Sequence, residues 1–134
     1  MPLPNTTRIS AHEVTITDRL VYLVVQGEFT LADAHSYAEF IDAAIPRGEP
    51  YVVLGNVTGM AITGPEARRY FAEWHKGRRC ERCAIVGATL LARGITTLIM
   101  RAMNLTGRFY IPFRFFSNEP AARAWLAEWR PPAT

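Results

Sequence analysis

Two cysteines in the stretch CERC, Cys80 and Cys83, have a spacing that suggests chemistry. A C-x-x-C pair can form a redox-active disulfide or supply half of a zinc site. Redox pairs of the thioredoxin kind lie at a helix N-terminus, which lowers the pKa of one thiol. Here the pair leads into CAIVGA, an apolar run typical of a strand. We therefore expect Cys83 in the core and Cys80 on the surface, and a thiol redox protein remains an alternative function.

Other catalytic and cofactor patterns are weak. A zinc site needs about four ligands, and beyond His75 the sequence suggests no fourth. None of the three histidines has a Ser or Cys and an acid at a triad-like spacing. Gly55, Gly59 and Gly64 match neither G-x-G-x-x-G nor a P-loop. The sequence predicts no metal, no cofactor and no enzymatic activity.

In residues 55–71, GNVTGMAITGPEARRYF, two threonines precede a run that is typical of the start of a helix. Thr63 and Glu66 fit the S/T-x-x-E capping box, and Pro65 fits the first helical turn. The pattern predicts Thr63 as a helix cap. Loops at the carboxyl ends of parallel strands also gather ligands and partners, so Thr63 and Thr58 are candidate contact residues as well.

Positive charge is concentrated in the second half of the chain. Residues 1–62 carry three Arg against seven acids, whereas residues 63–134 carry twelve Lys or Arg against five acids. A basic patch of this kind could meet phosphate, an acidic protein or an anionic membrane surface, or it is a solvated face with paired glutamates. The aromatic residues of the same helix fall on its core stripe, so nucleic-acid binding is not expected. The predicted patch comprises Arg68, Arg69, Lys76, Arg78 and Arg79.

The stretch LLARGITTLIMRAMNLTGRFYIPF has apolar residues on more than one helical face. Some surface other than one sheet must therefore cover part of it. A homodimer partner is the first expectation, and an apolar, lipid-like ligand is the alternative. Leu91, Ile95, Leu98 and Ile99 are expected on the core side. The complete predicted face for a ligand or dimer is Leu91, Ile95, Leu98, Ile99, Met103, Phe109 and Tyr110.

Hydrophobic periodicity predicts the elements that position these residues. Alternation in HEVTITD and LVYLVVQGEF indicates a hairpin, and YVVLG, CAIVGA and FRFF indicate further strands separated by amphipathic helices. Thr30 and Asp33 predict a capped first helix. The order β-β-α-β-α-β-α-β-α predicts an α/β fold with a single mixed, mostly parallel five-stranded sheet and about four helices.

Length and hydropathy predict one domain over residues 1–134, with an ordered core of about residues 8–130. The first ten residues lack the apolar stretch of a secretory signal, and no segment approaches the roughly 20 apolar residues that span a bilayer. We expect a cytoplasmic protein without an integral membrane segment.

Three of these stretches carry a family resemblance: VYLVVQGEFT, YVVLGNVTGMAITGPEARRYF and RFFSNEPAARAWL. Together they resemble the STAS domains of anti-sigma-factor antagonists, and more closely the bacterial STAS/CRAL-TRIO-like proteins. The resemblance extends from about Val14 to Trp129 as an order of elements with soft motifs. It implies a STAS-like fold.

The resemblance also implies a function. Antagonist-type STAS domains are regulatory protein-interaction domains in which a partner kinase phosphorylates a Ser or Thr at the start of the second helix. Thr63 takes that place here, with Thr58 second. The family's Asp before the acceptor is Ile62 in this chain, and the acid that ends the preceding strand corresponds to Asn56. CRAL-TRIO-like relatives imply a lipid pocket.

The sequence as a whole therefore predicts a non-enzymatic, homodimeric regulatory domain that binds a protein partner or kinase. Phosphorylation in the loop after the third strand would switch it. A carrier or sensor of a lipid-like ligand is the main alternative.

Overall fold

The computed structural model describes residues 5–61, 63–107 and 110–130. The strands are β1 (Asn5–Ile9), β2 (His12–Thr17), β3 (Leu20–Gly27), β4 (Pro50–Met60), β5 (Arg79–Val86) and β6 (Phe113–Phe116). The helices are α1 (Leu31–Ala44), α2 (Pro65–His75), α3 (Leu90–Thr106) and α4 (Glu119–Ala127). The predicted α/β class and the predicted alternation of strands and helices are confirmed.

The strands form one sheet in the order β1-β2-β3-β4-β5-β6, in which the β1–β2 and β2–β3 pairs are antiparallel and the rest parallel. The sheet has one strand more than predicted. The extra strand β1 exposes most of its side chains and buries only Ile9, so it lacks the apolar alternation that marks a strand in sequence. Its existence depends on pairing with β2.

The helices cover both faces of the sheet. Buried side chains of α1, α2 and α3 pack with those of β2 and β3 on one face, and α4 packs on the other. The central strand β4 contributes to both sides, since Tyr51 and Val53 join the first cluster and Val52 and Leu54 the second. This explains its uninterrupted apolar run. No helix within the described ranges is long and apolar enough to cross a membrane.

The structure confirms one predicted helix start and moves the end of one predicted strand. The capping box at the start of α1 is confirmed: Asp33 N–H donates to Thr30 Oγ1, and Thr30 N–H donates to Asp33 Oδ2. Strand β4 extends to Met60, because Gly59 and Met60 still pair with the end of β3. Residues 56–60, expected in the loop, therefore belong to the strand.

Candidate functional site

A cavity of about 300 Å³ lies between α3 and the sheet, beside α2. Its volume is at the lower end of the range for small-molecule pockets. Its lining is mostly aliphatic and aromatic, and its polar groups are threonine and tyrosine hydroxyls, the Cys83 thiol and one guanidinium. Each bordering element contributes: Leu23 from β3, Val53 from β4, Ile85 from β5, Phe71 from α2 and Ile95 from α3. The arrangement suits an apolar molecule.

A glycine in the middle of β4 keeps this cavity open. Gly55 lines the cavity, and a Cβ built on it would meet only the carbonyl oxygen of Ala84, at 4.0 Å. Glycine inside a strand weakens the strand and often marks a place where another molecule approaches the backbone closely. Gly55 therefore lowers the stability of the strand and leaves space at the floor of the cavity.

The inward side of α3 closes the cavity. Ile95 and Ile99 are half-buried and line it, as the predicted core side requires, and Met103 is buried against the main core. Leu98 was expected on the same side, and that expectation is wrong because it is 69% exposed. Leu91 lines the cavity, but at 64% exposed it is not the core residue that was expected. The periodicity allowed several rotations of the helix.

Packing of Met100 on the core selects the rotation of α3. It turns Leu98 and Leu105, which are seven residues apart, away from the sheet, and it leaves Leu91 largely exposed beside the cavity. Tyr110, beyond the helix, is also exposed, whereas Phe109 lies outside the described residues. The predicted face is therefore two surfaces, a cavity wall and an exposed apolar stripe.

The start of α2 differs from the prediction. Helix α2 begins at Pro65 with Gly64 as its N-cap and without a side-chain cap. Thr63 is one residue too early to cap it, so the predicted capping box is wrong. The Thr63 hydroxyl instead donates to Met60 Sδ at 3.8 Å, and its carbonyl accepts from Arg68 Nη1. Thr63 is half-buried and lines the cavity.

The other two residues of the predicted switch loop lie apart from this cavity. Asn56 and Thr58 are within β4, and neither lines the cavity. Asn56 Oδ1 accepts a hydrogen bond from the Thr58 N–H at 3.1 Å, a local turn-like contact. Thr58 is exposed and Asn56 half-buried. The structure therefore separates Thr63 from the two residues predicted to act with it.

Arg78 does not belong to a surface patch. It is 1% exposed, and its guanidinium donates to the Ile45 carbonyl at 2.8 Å and to Asp42 at 3.2 Å. It also lies over the rings of Tyr51 and Trp74. Arg78 thus ties the end of α1 to the start of β5, and the expectation that it is a surface charge is wrong.

Two of the four remaining basic residues form ion pairs. Lys76 pairs with Glu73 on the surface of α2, and Arg79 pairs with Glu81 on β5. Arg69 is exposed and Arg68 is half-buried at the cavity. Neutralising partners break the predicted patch into separate charges. Exposed pairs of this kind contribute roughly 0.2–1 kcal/mol each to stability.

Cys80 is buried, so the expectation that it lies on the surface is wrong, whereas Cys83 is half-buried and packs against the core. An extra residue in β5, opposite the step from Tyr51 to Val52, brings both onto the α1–α3 face. Both thiols are free, and burial raises the pKa of Cys80 well above its usual value and that of Cys83 to about 12. Protonated thiols are poor nucleophiles, which weighs against the thiol redox alternative.

The sequence did not reveal a buried polar cluster beside β1. Asp33 Oδ1 accepts from Ser10 Oγ at 2.7 Å, and Asp33 Oδ2 lies 3.1 Å from His12 Nε2. His12 Nδ1 accepts the N–H of Gln26, so Nε2 carries the proton and donates. The serine contacts the carboxylate and not the imidazole, unlike a catalytic triad. The position of His12 in step with Val14 and Ile16 was the available signal of its burial.

His75 is likewise a packing residue. It is 6% exposed, its Nδ1 lies 2.9 Å from the Phe71 carbonyl oxygen, and burial lowers its pKa to about 4. The imidazole is therefore neutral at physiological pH. Among the residues that the structure describes, no group of three or more His, Cys, Asp or Glu side chains could hold a metal ion.

Comparison with known proteins gives one family. A family model described as SpoIIAA-like matches residues 20–127. Among solved structures, an uncharacterized protein of the DUF3478 family with a SpoIIAA-like fold, from Shewanella loihica PV-4, matches with a TM-score of 0.62 and 19% identity, over 92% of each chain. No curated protein matches this chain. The structural likeness at this identity concerns the fold.

Proposed function

Because the chain belongs to the SpoIIAA-like family, we propose that it is a regulatory protein-interaction domain without catalytic activity of its own. The observation that carries this proposal is the exposed apolar stripe of α3. Leu90 and Leu105 are 89% and 85% exposed, and Leu91 and Leu98 lie between them along the helix. Several large apolar side chains on one exposed helix are typical of a protein contact surface.

We assign this stripe to a second copy of the chain. Symmetric association places the same patch on both partners, so one helix of this kind can supply a whole dimer interface. Arg93 and Arg101 of α3 are exposed. In an antiparallel arrangement about a two-fold axis, these arginines need not lie opposite the same arginines of the second copy. A regulatory partner would then contact the remaining surface, including the residues around Thr63.

Replacing Leu98 with glutamate tests the homodimer. We expect the wild-type chain to sediment as a dimer in the micromolar range and Leu98→Glu as a folded monomer that lacks only the stability added by association, because the side chain is 69% exposed. Leu31→Glu, the same change at an exposed leucine of α1, should leave the dimer intact. A wild-type chain that stays monomeric across this range contradicts the proposed homodimer.

We further propose that Thr63 is the phosphorylation site of the switch. Its hydroxyl caps no helix and makes a long contact to a sulfur, so modification would not cost α2 a cap. A phosphate would add nearly two negative charges beside Arg68 and the start of α2. The intact mass of the protein purified from its own cell should show one phosphate that Thr63→Val removes. A phosphate that persists in this variant contradicts the assignment to Thr63.

The cavity supports a second candidate function, the carrying or sensing of an apolar ligand. Its lining is apolar, its volume suits a small molecule, and Gly55 leaves its floor open. Met100 and Ile99 on α3 form part of its wall, so a bound ligand would contact the helix that bears the exposed stripe. Ligand binding and protein association would thus be coupled through α3.

A further inference from the structure

The cavity between α3 and the sheet has a single charged group. Of the described residues that line it, Arg68 alone is charged, and none is acidic. Thr63, Thr89 and Thr96 supply hydroxyl groups to its wall, and so does Tyr37. An apolar chamber with one cation in its wall favours a ligand that is apolar along most of its length and negative at one end.

Arg68 has capacity to bind such a group. Its Nη1 donates to the Thr63 carbonyl, which holds the side chain across the start of α2. A guanidinium has five N–H donors, so several remain after this bond. Within the described chain, no carboxylate forms an ion pair with Arg68, whereas Arg78, Arg82 and Arg123 each have one. Arg68 is thus a half-buried cation whose counter-charge the described residues do not supply.

The size of the cavity limits the ligand. About 300 Å³ lies at the lower end of the range for small-molecule pockets. A cavity of this size suits a single chain of about ten carbon atoms better than a lipid with two long chains. The nearby Gly55 leaves the central strand open to the tail.

We propose that the cavity binds a single-chain amphiphile of medium length whose terminal carboxylate pairs with Arg68, a proposal that rests on the apolar-ligand function above. The tail lies between α3 and β4, and the head lies at the start of α2 beside Thr63. An Arg–carboxylate pair with two parallel hydrogen bonds would fix the direction of the ligand in the cavity.

Three ten-carbon probes with different heads test this proposal: decanoate, decanol and decyltrimethylammonium. Their binding to the full chain is measured by calorimetry below their micellar concentrations. We expect decanoate to bind roughly tenfold more tightly than decanol, and decyltrimethylammonium to bind most weakly. Arg68→Met should lower the affinity for decanoate to or below that for decanol, because the carboxylate then lacks a counter-charge, and should leave decanol binding unchanged. Arg69→Met, at an exposed neighbour that does not line the cavity, should change neither.

Retained decanol binding shows that the variant is folded with its cavity intact. If Arg68→Met also fails to bind decanol, the test passes to Arg68→Lys, which keeps the positive charge. Tighter binding of decanoate than of decanol to Arg68→Lys supports the proposal, and equal binding of the two probes overturns it. Equal binding of decanoate and decanol to the wild-type chain overturns the role of Arg68 but leaves the apolar-ligand function standing. Failure of all three probes to bind contradicts that function itself.

Discussion

Replacing Gly55 with isoleucine is expected to lower the affinity for decanol at least tenfold while the chain stays folded. The new side chain adds four carbon atoms on the floor of a cavity of about 300 Å³, which leaves less room for a ligand. Its Cβ has space, since the nearest atom lies 4.0 Å away. Isoleucine also suits a strand better than glycine by about 0.5–1 kcal/mol, so the thermal midpoint should stay equal or rise. Calorimetric titration and thermal unfolding measure the two effects.

Thr58→Ile is the matched control for Gly55→Ile. It places the same side chain on the same strand, at an exposed position that does not line the cavity. We expect decanol to bind this variant as it binds the wild-type chain. If Gly55→Ile binds decanol as tightly as the wild type, the ligand does not occupy the cavity. A loss of more than about 2 kcal/mol of stability would show that the space beside Gly55 is already filled.

The sequence predicted the parts of the fold in which one local pattern has one structural outcome. The first capping box is of this kind, because Thr30 and Asp33 meet within a single turn. The second box was wrong because Thr63-x-x-Glu66 has the correct spacing but the chain enters the helix one residue later, at Gly64. A capping pattern gives the spacing of the cap and does not fix where the strand before it ends.

Features that depend on distant contacts were not predictable from local patterns. Strand β1 needs β2 as its partner. The face of the sheet on which Cys80 lies depends on an extra residue in β5, which is evident only from the pairing of β5 with β4. The rotation of α3 depends on where Met100 meets the core. The only sign of the cavity in the sequence was Gly55, a residue without a side chain in a strand of large apolar residues. A glycine inside a strand can also mark a bulge or a bend, so it did not identify a cavity.

Removing the carboxylate of Asp33 is expected to cost the most stability of any change considered. Asp33 is 4% exposed and accepts hydrogen bonds from Ser10 Oγ, His12 Nε2 and the Thr30 N–H. In Asp33→Ala, Nε2 of the fully buried His12 loses its carboxylate partner and keeps only the Glu28 carbonyl oxygen, at 3.0 Å, and α1 loses half of its capping box. The combined loss should lower the free energy of unfolding by about 3–4 kcal/mol, a large share of the total for a domain.

Urea unfolding measures the loss in Asp33→Ala. Glu39→Ala, at an exposed acid on the same helix, is the control and should change stability by less than about 0.5 kcal/mol. A loss below about 1 kcal/mol in Asp33→Ala would mean that its three partners find replacements, so that the cluster does not anchor β1 and β2 to α1.

The pH dependence of unfolding tests the charge of Asp33 separately from its packing. Burial alone would raise the pKa of its carboxyl group, but hydrogen bonds from Ser10, Thr30 and His12 outweigh burial and lower the pKa below 3.8. The folded state therefore favours the carboxylate, and this stabilisation is complete above the unfolded pKa and is lost as the pH falls through the folded pKa. We expect the stability difference between the wild type and Asp33→Ala to be constant near neutral pH and to shrink below about pH 4. A difference that stays constant down to pH 2 would mean that the ionised form of Asp33 contributes nothing.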